Sequence, residues 1–297
     1  MIPLFDLHAD TLSSMYKNKE LLSKNNLHIS YEKAESFSPY LQVMAIWSDF
    51  RLSDEEAYKN FFKVLSYARE NGCKFATRKD ELNDRTLILA VEDARLLAGD
   101  TQRLNILRQN GVRVLTLNWK GESIIGGAWD TELGLSLFGK NVLKRAFSLG
   151  IIPDISHSSV KSAYEAVELS SAYNNPIIAS HSNSYGAFNH KRNLSDELFA
   201  EIKKLGGVVG ISLAPEHLGE SADVRTVLNH IFHYLNLGGE NTVCLGCDFD
   251  GVSSLPYGIS SIFDLKILYF ELIKEFGQEI ADKIFYKNAY SFFQKSF

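Results

Sequence analysis

The chain predicts a single (β/α)8 TIM-type barrel. Three observations carry this: eight short runs rich in Val, Ile and Leu, helical patterns between most of them, and no Pro-rich or low-complexity linker dividing residues 1–297. The stretches between runs are long enough to return each strand parallel to the one before. A hydrophobic content of 45% is ordinary for a chain of this length with a substantial core. A doubly wound open sheet is the competing α/β arrangement, but no Gly-rich phosphate loop follows the first strand.

The runs fall at 3–7, 41–47, 86–91, 112–117, 151–155, 176–179, 207–213 and 242–246. Each is short, largely apolar and strand-length. Helices are expected over "DEEAYKNFFKVLSYARENG", "LNILRQNG", "GKNVLKRAFSLG", "SVKSAYEAVELSSAY" and "SDELFAEIKKLGG". Several of these end on Gly, and the last two open on a Ser placed to cap the first turn. The interval 119–135, with "KGESIIGGAWDTELG" at its centre, is rich in Gly and polar residues and reads as a long loop over the barrel mouth.

Once the runs are placed, the polar residues sort by position. His8 and Asp10 of "DLHAD" follow the first run, and two residues apart on an extended strand they project to one side, with Leu7 and Ala9 on the other. Glu92 follows the third run in "LILAVED", His157 the fifth in "IIPDISH", His181 the sixth in "IIASHS" and Asp248 the eighth in "VCLGCDFDG". All lie at C-terminal ends, which share one face of a parallel barrel, the face where such barrels carry their chemistry. Three histidines and three carboxylates without thiolates suit zinc, with manganese or cobalt as substitutes. Six such groups suffice for two metals that share a carboxylate and activate a hydroxide between them.

Bulk properties exclude other classes. The net charge of -5 argues against nucleic acid as a partner, because no basic excess is present to displace counterions. The apolar runs are strand-length, so no membrane span is expected. Asp6, His8 and Asp10 interrupt the start of the chain where a signal peptide would be apolar, and a cytoplasmic location is therefore expected. Cys73, Cys244 and Cys247 cannot all pair, and "CLGC" sits inside an apolar strand pattern with no second dyad, so buried free thiols are expected.

In order and spacing, "DLHAD", "VED", "DISHSS", "SHSNSYGAFNHKRNLSD" and "CDFDG" resemble the successive motifs of the membrane dipeptidase (renal dipeptidase) family of zinc peptidases, in the amidohydrolase superfamily. The resemblance runs across nearly the whole chain. It implies two zinc ions per chain: His8 and Asp10 on the first, His157 and His181 on the second, and Glu92 bridging both. It further implies that Asp248 handles the proton at the bridging water and that Arg192 holds the substrate's terminal carboxylate. The implied reaction is hydrolysis of small dipeptides, including those with a C-terminal D-residue, by hydroxide attack on the amide. A homodimer is compatible with it.

Two departures stand out. In "LTLNWKGE" Trp119 occupies the position of a substrate-contacting histidine of animal members, so Trp119 and its neighbour Asn118 are expected to face the substrate without polarising its carbonyl. Asp93 stands where the family commonly has Gly. The animal enzymes' secretion signal and lipid-anchor tail are not expected here, since the chain ends in "YKNAYSFFQKSF". Competing functions are an N-acyl amino acid hydrolase, a phosphoesterase of the polymerase-and-histidinol-phosphatase type and a binding barrel without catalysis. The phosphoesterase expects His where Asp10 stands, the binding barrel would be expected to lose a ligand, and a serine hydrolase would need a Gly-x-Ser-x-Gly elbow that does not occur.

Overall fold

The computed structural model describes all of residues 1–297. Its strands are β1 Ile2–Ala9, β2 Phe37–Trp47, β3 Thr86–Glu92, β4 Val112–Thr116, β5 Ile152–Asp154, β6 Val209–Ile211 and β7 Val243–Leu245. They pair in parallel in the order β5-β4-β3-β2-β1-β7-β6.

Residues 177–179 close the ring between β5 and β6. Ile155 N donates to Ile178 O at 2.9 Å, Ile178 N to Pro153 O at 3.1 Å and Gly210 N to Ala179 O at 2.8 Å. The sixth expected strand is thus present only as two isolated bridges, Asp154 with Ile178 and Ala179 with Val209. Two causes shorten it. Pro176 has no N–H to give to a ladder. At the other end, the Ser180 carbonyl lies so near Gly210 and Gly246 that a Cβ on either would sit 1.9 or 1.8 Å from the oxygen. Only glycine permits that approach.

The barrel interior is one apolar cluster to which every strand position contributes, from Phe5, Val43, Ile88 and Val114 to Ile152, Ile178, Val208 and Cys244. The helix Asn288–Ser296 plugs its lower end, with Phe293 5.1 Å from Phe5 between ring centres. A larger cluster between strands and outer helices holds Leu4, Ala9, Leu87, Leu89 and Val91. The alternation expected for β1 is broken by a register shift between Asp6 and Ala9. Phe5 and Leu7 face the barrel interior as alternation requires, but Ala9 faces the helices instead of following Leu7, so the irregularity falls around His8, where the chain enters the mouth.

The expected helices form as Asp54–Glu70, Arg103–Gln109, Leu137–Ser148, Val160–Ala172 and Asp196–Lys204. Ser159 and Ser195 cap the last two by accepting from Ser162 N and Leu198 N. Two further long helices, Val224–Asn236 and Leu265–Phe276, complete the outer layer. No helix is long and apolar enough to cross a membrane. The segment 119–135 forms only isolated bridges, including Ala128 with Ser158, and brings Trp119 and Trp129 to the mouth. Cys73, Cys244 and Cys247 are buried and free.

Candidate metal centre

His8, Asp10, Glu92, His157, His181 and Asp248, from five strand positions, converge at the mouth of the barrel. Their ligand atoms fall into overlapping groups, each within 4.8 Å: His8 with Asp10 and Glu92, Glu92 with His157 and His181, and His8 with His181 and Asp248. Glu92 stands between the first two. Its Oε2 lies 3.6 Å from His8 Nε2, while its Oε1 lies 3.1 Å from His157 Nε2 and 3.6 Å from His181 Nε2. His8 Nε2 is also 3.6 Å from Asp10 Oδ2 and 3.9 Å from Asp248 Oδ1.

These residues fit divalent metal on structural grounds. His8 Nε2 and Asp10 Oδ1 are buried without a hydrogen-bond partner, a costly state for polar atoms in a protein interior. His157 Nε2 and His181 Nε2 approach to 2.8 Å, two nitrogens aimed at one point beside Glu92. A Cβ at Gly251 would sit 2.4 Å from both Asp10 Oδ2 and Asp248 Oδ1, so the glycine of "DFDG" leaves these two carboxylates room.

The electrostatics agree. Burial raises the Glu92 carboxyl to about 8, with the Asp10 charge adding to the shift. Burial likewise raises Asp248 to about 7 against the opposing pull of His8. Burial alone would lower His8, but Glu92 and Asp10 hold it well above the ordinary imidazole value. His157 and His181 go the other way, pushed well below it by burial and then by the cations Arg192 and His8 respectively. Neutral imidazoles facing carboxylates that hold protons too tightly form a site that gains by exchanging those protons for a metal cation.

A supporting layer orients His181. Asp154, fully buried, accepts from Ser156 N and Ser180 N at 2.9 Å and from Thr116 Oγ1 at 2.7 Å. Ser180 Oγ donates to Asp154 Oδ2 at 2.5 Å, which leaves it to accept from His181 Nδ1 at 2.7 Å. That order puts the His181 proton on Nδ1 and frees Nε2 for a ligand bond.

Of the remaining expected residues, Arg192 and Trp119 line a mouth cavity of about 650 Å³, whereas Asn118 is buried and does not reach it. Arg192 is buried, donates from Nη1 to Ser182 Oγ and from Nη2 to His181 O, both at 3.1 Å, and keeps Nε unpartnered. Burial lowers it only to about 10, so it is a cation at neutral pH. Trp119 lines the cavity, and Asn118 is buried beside it, accepting from Ser158 Oγ at 3.2 Å. Of the two acids in "DFDG", Asp250 is occupied: its oxygens accept from Thr11 Oγ1 and His28 N, both at 2.6 Å. Asp248 has no such anchors.

Several cavity residues were not singled out from the sequence. Trp47, Trp129 and His217 line it, and burial with the nearby Arg192 charge holds His217 down to about 2. Trp47 is the last residue of β2, so the rule that located the ligands at strand ends reaches it too, whereas His217 lies in the short helix Pro215–Leu218 beyond β6. Asp154 and Ser180 lie inside quoted motifs, yet only the folded contacts reveal their part.

Fold and site together define a metallohydrolase-type barrel with a carboxylate set between two histidine groups. The model of the membrane dipeptidase family (peptidase family M19) matches residues 1–295, and the chain belongs to this family. It is 29% identical over 198 residues to an uncharacterized dipeptidase of Schizosaccharomyces pombe, a match covering 64% of this chain and 48% of that relative, about half its length. Among solved structures, a dipeptidase of the same family superposes with a TM-score of 0.89 at 25% identity, covering 99% of this chain and 98% of the other. A metallo peptidase from Rhodobacter sphaeroides, liganded with a phosphinate mimic of the dipeptide L-Ala-D-Ala, shares the fold with a TM-score of 0.90 at 23% identity, covering 100% and 99%.

Proposed function

We propose that the chain is a metal-dependent dipeptidase whose mouth holds two zinc ions, with manganese or cobalt as substitutes, and that residues 1–297 act as one barrel unit. The observation that carries the reading is Glu92, whose two oxygens each face a different histidine group. His8 and Asp10 would hold one ion, His157 and His181 the other, with Glu92 shared. When bound, such ions supply a Lewis acid for the amide oxygen and lower the pKa of a water to about 7.

The chain's own residues do the rest. Asp248, whose Oδ1 lies 3.9 Å from His8 Nε2 and whose carboxylate accepts no hydrogen bond from the protein, is placed to take a proton and return it to the leaving amine. Arg192, fixed through Ser182 and His181, grips the terminal carboxylate of the substrate with its guanidinium. Ser180 and Asp154 keep His181 in one tautomer. The substrate is a free dipeptide, and the phosphinate mimic bound by the Rhodobacter neighbour extends the proposal to a D-residue at its C-terminal position.

The test is a panel of L-L and L-D dipeptides, their C-terminal amides and N-acyl amino acids, assayed with metal-reconstituted protein alongside a metal count. Two ions per chain and hydrolysis of free dipeptides are expected. Arg192→Lys should impair cleavage of free dipeptides strongly and of amidated ones little. Equal losses on both would assign the chain to a broader amidohydrolase.

A further inference from the structure

The mouth cavity has two unlike sides. Arg192, His217 and Asp248 follow the sixth, seventh and eighth strand positions, whereas Trp47 ends β2 and Trp119 follows β4. In the closed ring β2 lies across from residues 177–179, the segment that leads to Arg192, and β4 lies across from β7, which leads to Asp248. A substrate anchored by its carboxylate at Arg192, with its carbonyl over Glu92, therefore extends its N-terminal residue toward the tryptophans.

That far wall is aromatic and held in place. The rings of Trp47 and Trp119 are 5.1 Å apart at 59°, and Phe50 stacks on Trp119 at 5.8 Å and 20°. Phe50 is 57% exposed, so burial in the core does not fix its position. Its loop is tied down by the buried Arg95, which donates to Ser48 O at 3.4 Å, Asp49 O at 2.9 Å and Leu52 O at 2.8 Å. Arg95 in turn pairs with Asp93 Oδ2 at 3.0 Å and Asp54 Oδ1 at 3.1 Å. Asp93 adopts a left-handed φ of 78°, which suits the Gly common in the family. Its carboxylate makes the Arg95 pair that a glycine could not, so the departure from the family pattern belongs to the clamp on this wall.

Some polar groups along the wall are engaged by the protein itself, but Trp47 Nε1 is buried without a hydrogen-bond partner. Arg51 pairs with Asp49, Lys120 lies over the Phe50 ring at 5.7 Å, and Asn60 Nδ2 donates to Ser48 Oγ at 3.2 Å. The two tryptophans therefore offer a ligand ring surface and one indole N–H, and the ring surface favours stacked or edge-on contact with another ring or a large aliphatic group.

We propose that Trp47 and Trp119 form a side-chain subsite that selects dipeptides with a large apolar or aromatic N-terminal residue, with Phe50 backing Trp119 from outside the cavity and Arg95 as the positioning residue that holds the Phe50 loop. The inference rests on the dipeptidase reading and on Arg192 as the carboxylate anchor.

The test compares phenylalanyl-alanine with alanyl-alanine on the metal-reconstituted protein, by kcat/KM and by the affinities of the matching phosphinate mimics. The native chain should favour the phenylalanyl member by about tenfold or more in both readouts, the scale of discrimination by an apolar pocket. Trp119→Ala should bring both ratios close to one, Trp119→Phe should keep most of the preference, and Arg95→Gln should lower it part-way. Urea midpoints identify any variant that has lost its fold, in which case Phe50→Ala serves as the second probe. Equal use of the two dipeptides by the native chain, or a preference untouched by both Trp119→Ala and Phe50→Ala, overturns the subsite and leaves the dipeptidase standing. Cleavage of neither dipeptide overturns both.

Discussion

At the lower end of the barrel Phe293 packs on Phe5 and Phe292 on Phe293, rings against rings with a single buried charge beside them, Arg113, which lies over Phe297 at 4.1 Å and donates to Ser296 O at 3.1 Å. At the upper end the same strands deliver His8, Glu92 and His181, buried as deeply, with His8 Nε2, Asp10 Oδ1 and Arg192 Nε lacking partners. Backbone strain gathers there as well: Asp93, His157, Asp248 and Asp250 all take left-handed φ values of 60° to 78°. One end lowers the free energy of the fold by removing apolar surface from water, and the other spends part of that stability to hold polar groups ready for a ligand. The two ends should accordingly fail in different ways.

The largest expected effect is at the mouth. Glu92→Gln removes the charge shared by both histidine groups and should lower turnover by more than about a thousandfold, with loss of bound metal and no loss of fold. A metal count and a urea unfolding curve on the same preparation check it, and full metal content in this variant would break the contrast between the two ends. Next comes the lower end, where Phe293→Ala should cost roughly 3 to 5 kcal/mol of stability from the cavity it leaves. The folded fraction should keep its turnover, and the urea midpoint at unchanged slope is the measure.

A third substitution sharpens the comparison within the mouth itself. Asp248→Asn should keep the metals and lower turnover by roughly a hundredfold or more, the scale of general acid-base catalysis. Asp250, tied to Thr11 and His28, should act through stability instead. An Asp250→Asn variant that loses turnover while Asp248→Asn does not would reverse the assignment.

The smallest effect concerns pH in metal-free protein. Glu92 and Asp248, raised to about 8 and about 7, keep protons that the unfolded chain releases near pH 4. Their contribution to stability is complete below that pH and is lost as pH rises through about 7 to 8, and the raised His8 acts in the same sense. His157 and His181 are lowered, so theirs is lost as pH falls below the ordinary imidazole value, which confines the clean window to higher pH. The melting temperature of metal-free protein should therefore drop by a few degrees between pH 7 and 8.5, and excess zinc should remove the slope. A rise over that range would contradict the electrostatics of the site.

What the sequence by itself determined is the local part of this protein. Strand-length apolar runs, helix caps at Ser159 and Ser195, and ligands within three residues of a run's end are patterns of neighbouring residues, and parallel connection then sends the strand ends to one face. His8, Asp10, Glu92, His157, His181 and Asp248 were legible on that basis, and Arg192 only through family resemblance. Tertiary structure decided what depends on residues far apart in the chain. The bulge that turns His8 into the mouth is set by pairing with β2, and the sixth strand dissolves because Ser180 meets Gly210 and Gly246. Arg95 reaches back more than forty residues to hold the loop of Phe50, and Phe293 closes a barrel begun at Phe5. Side-chain periodicity records which way a residue faces along its own element, but not which distant element it meets, because that is settled only when the whole ring closes and packs.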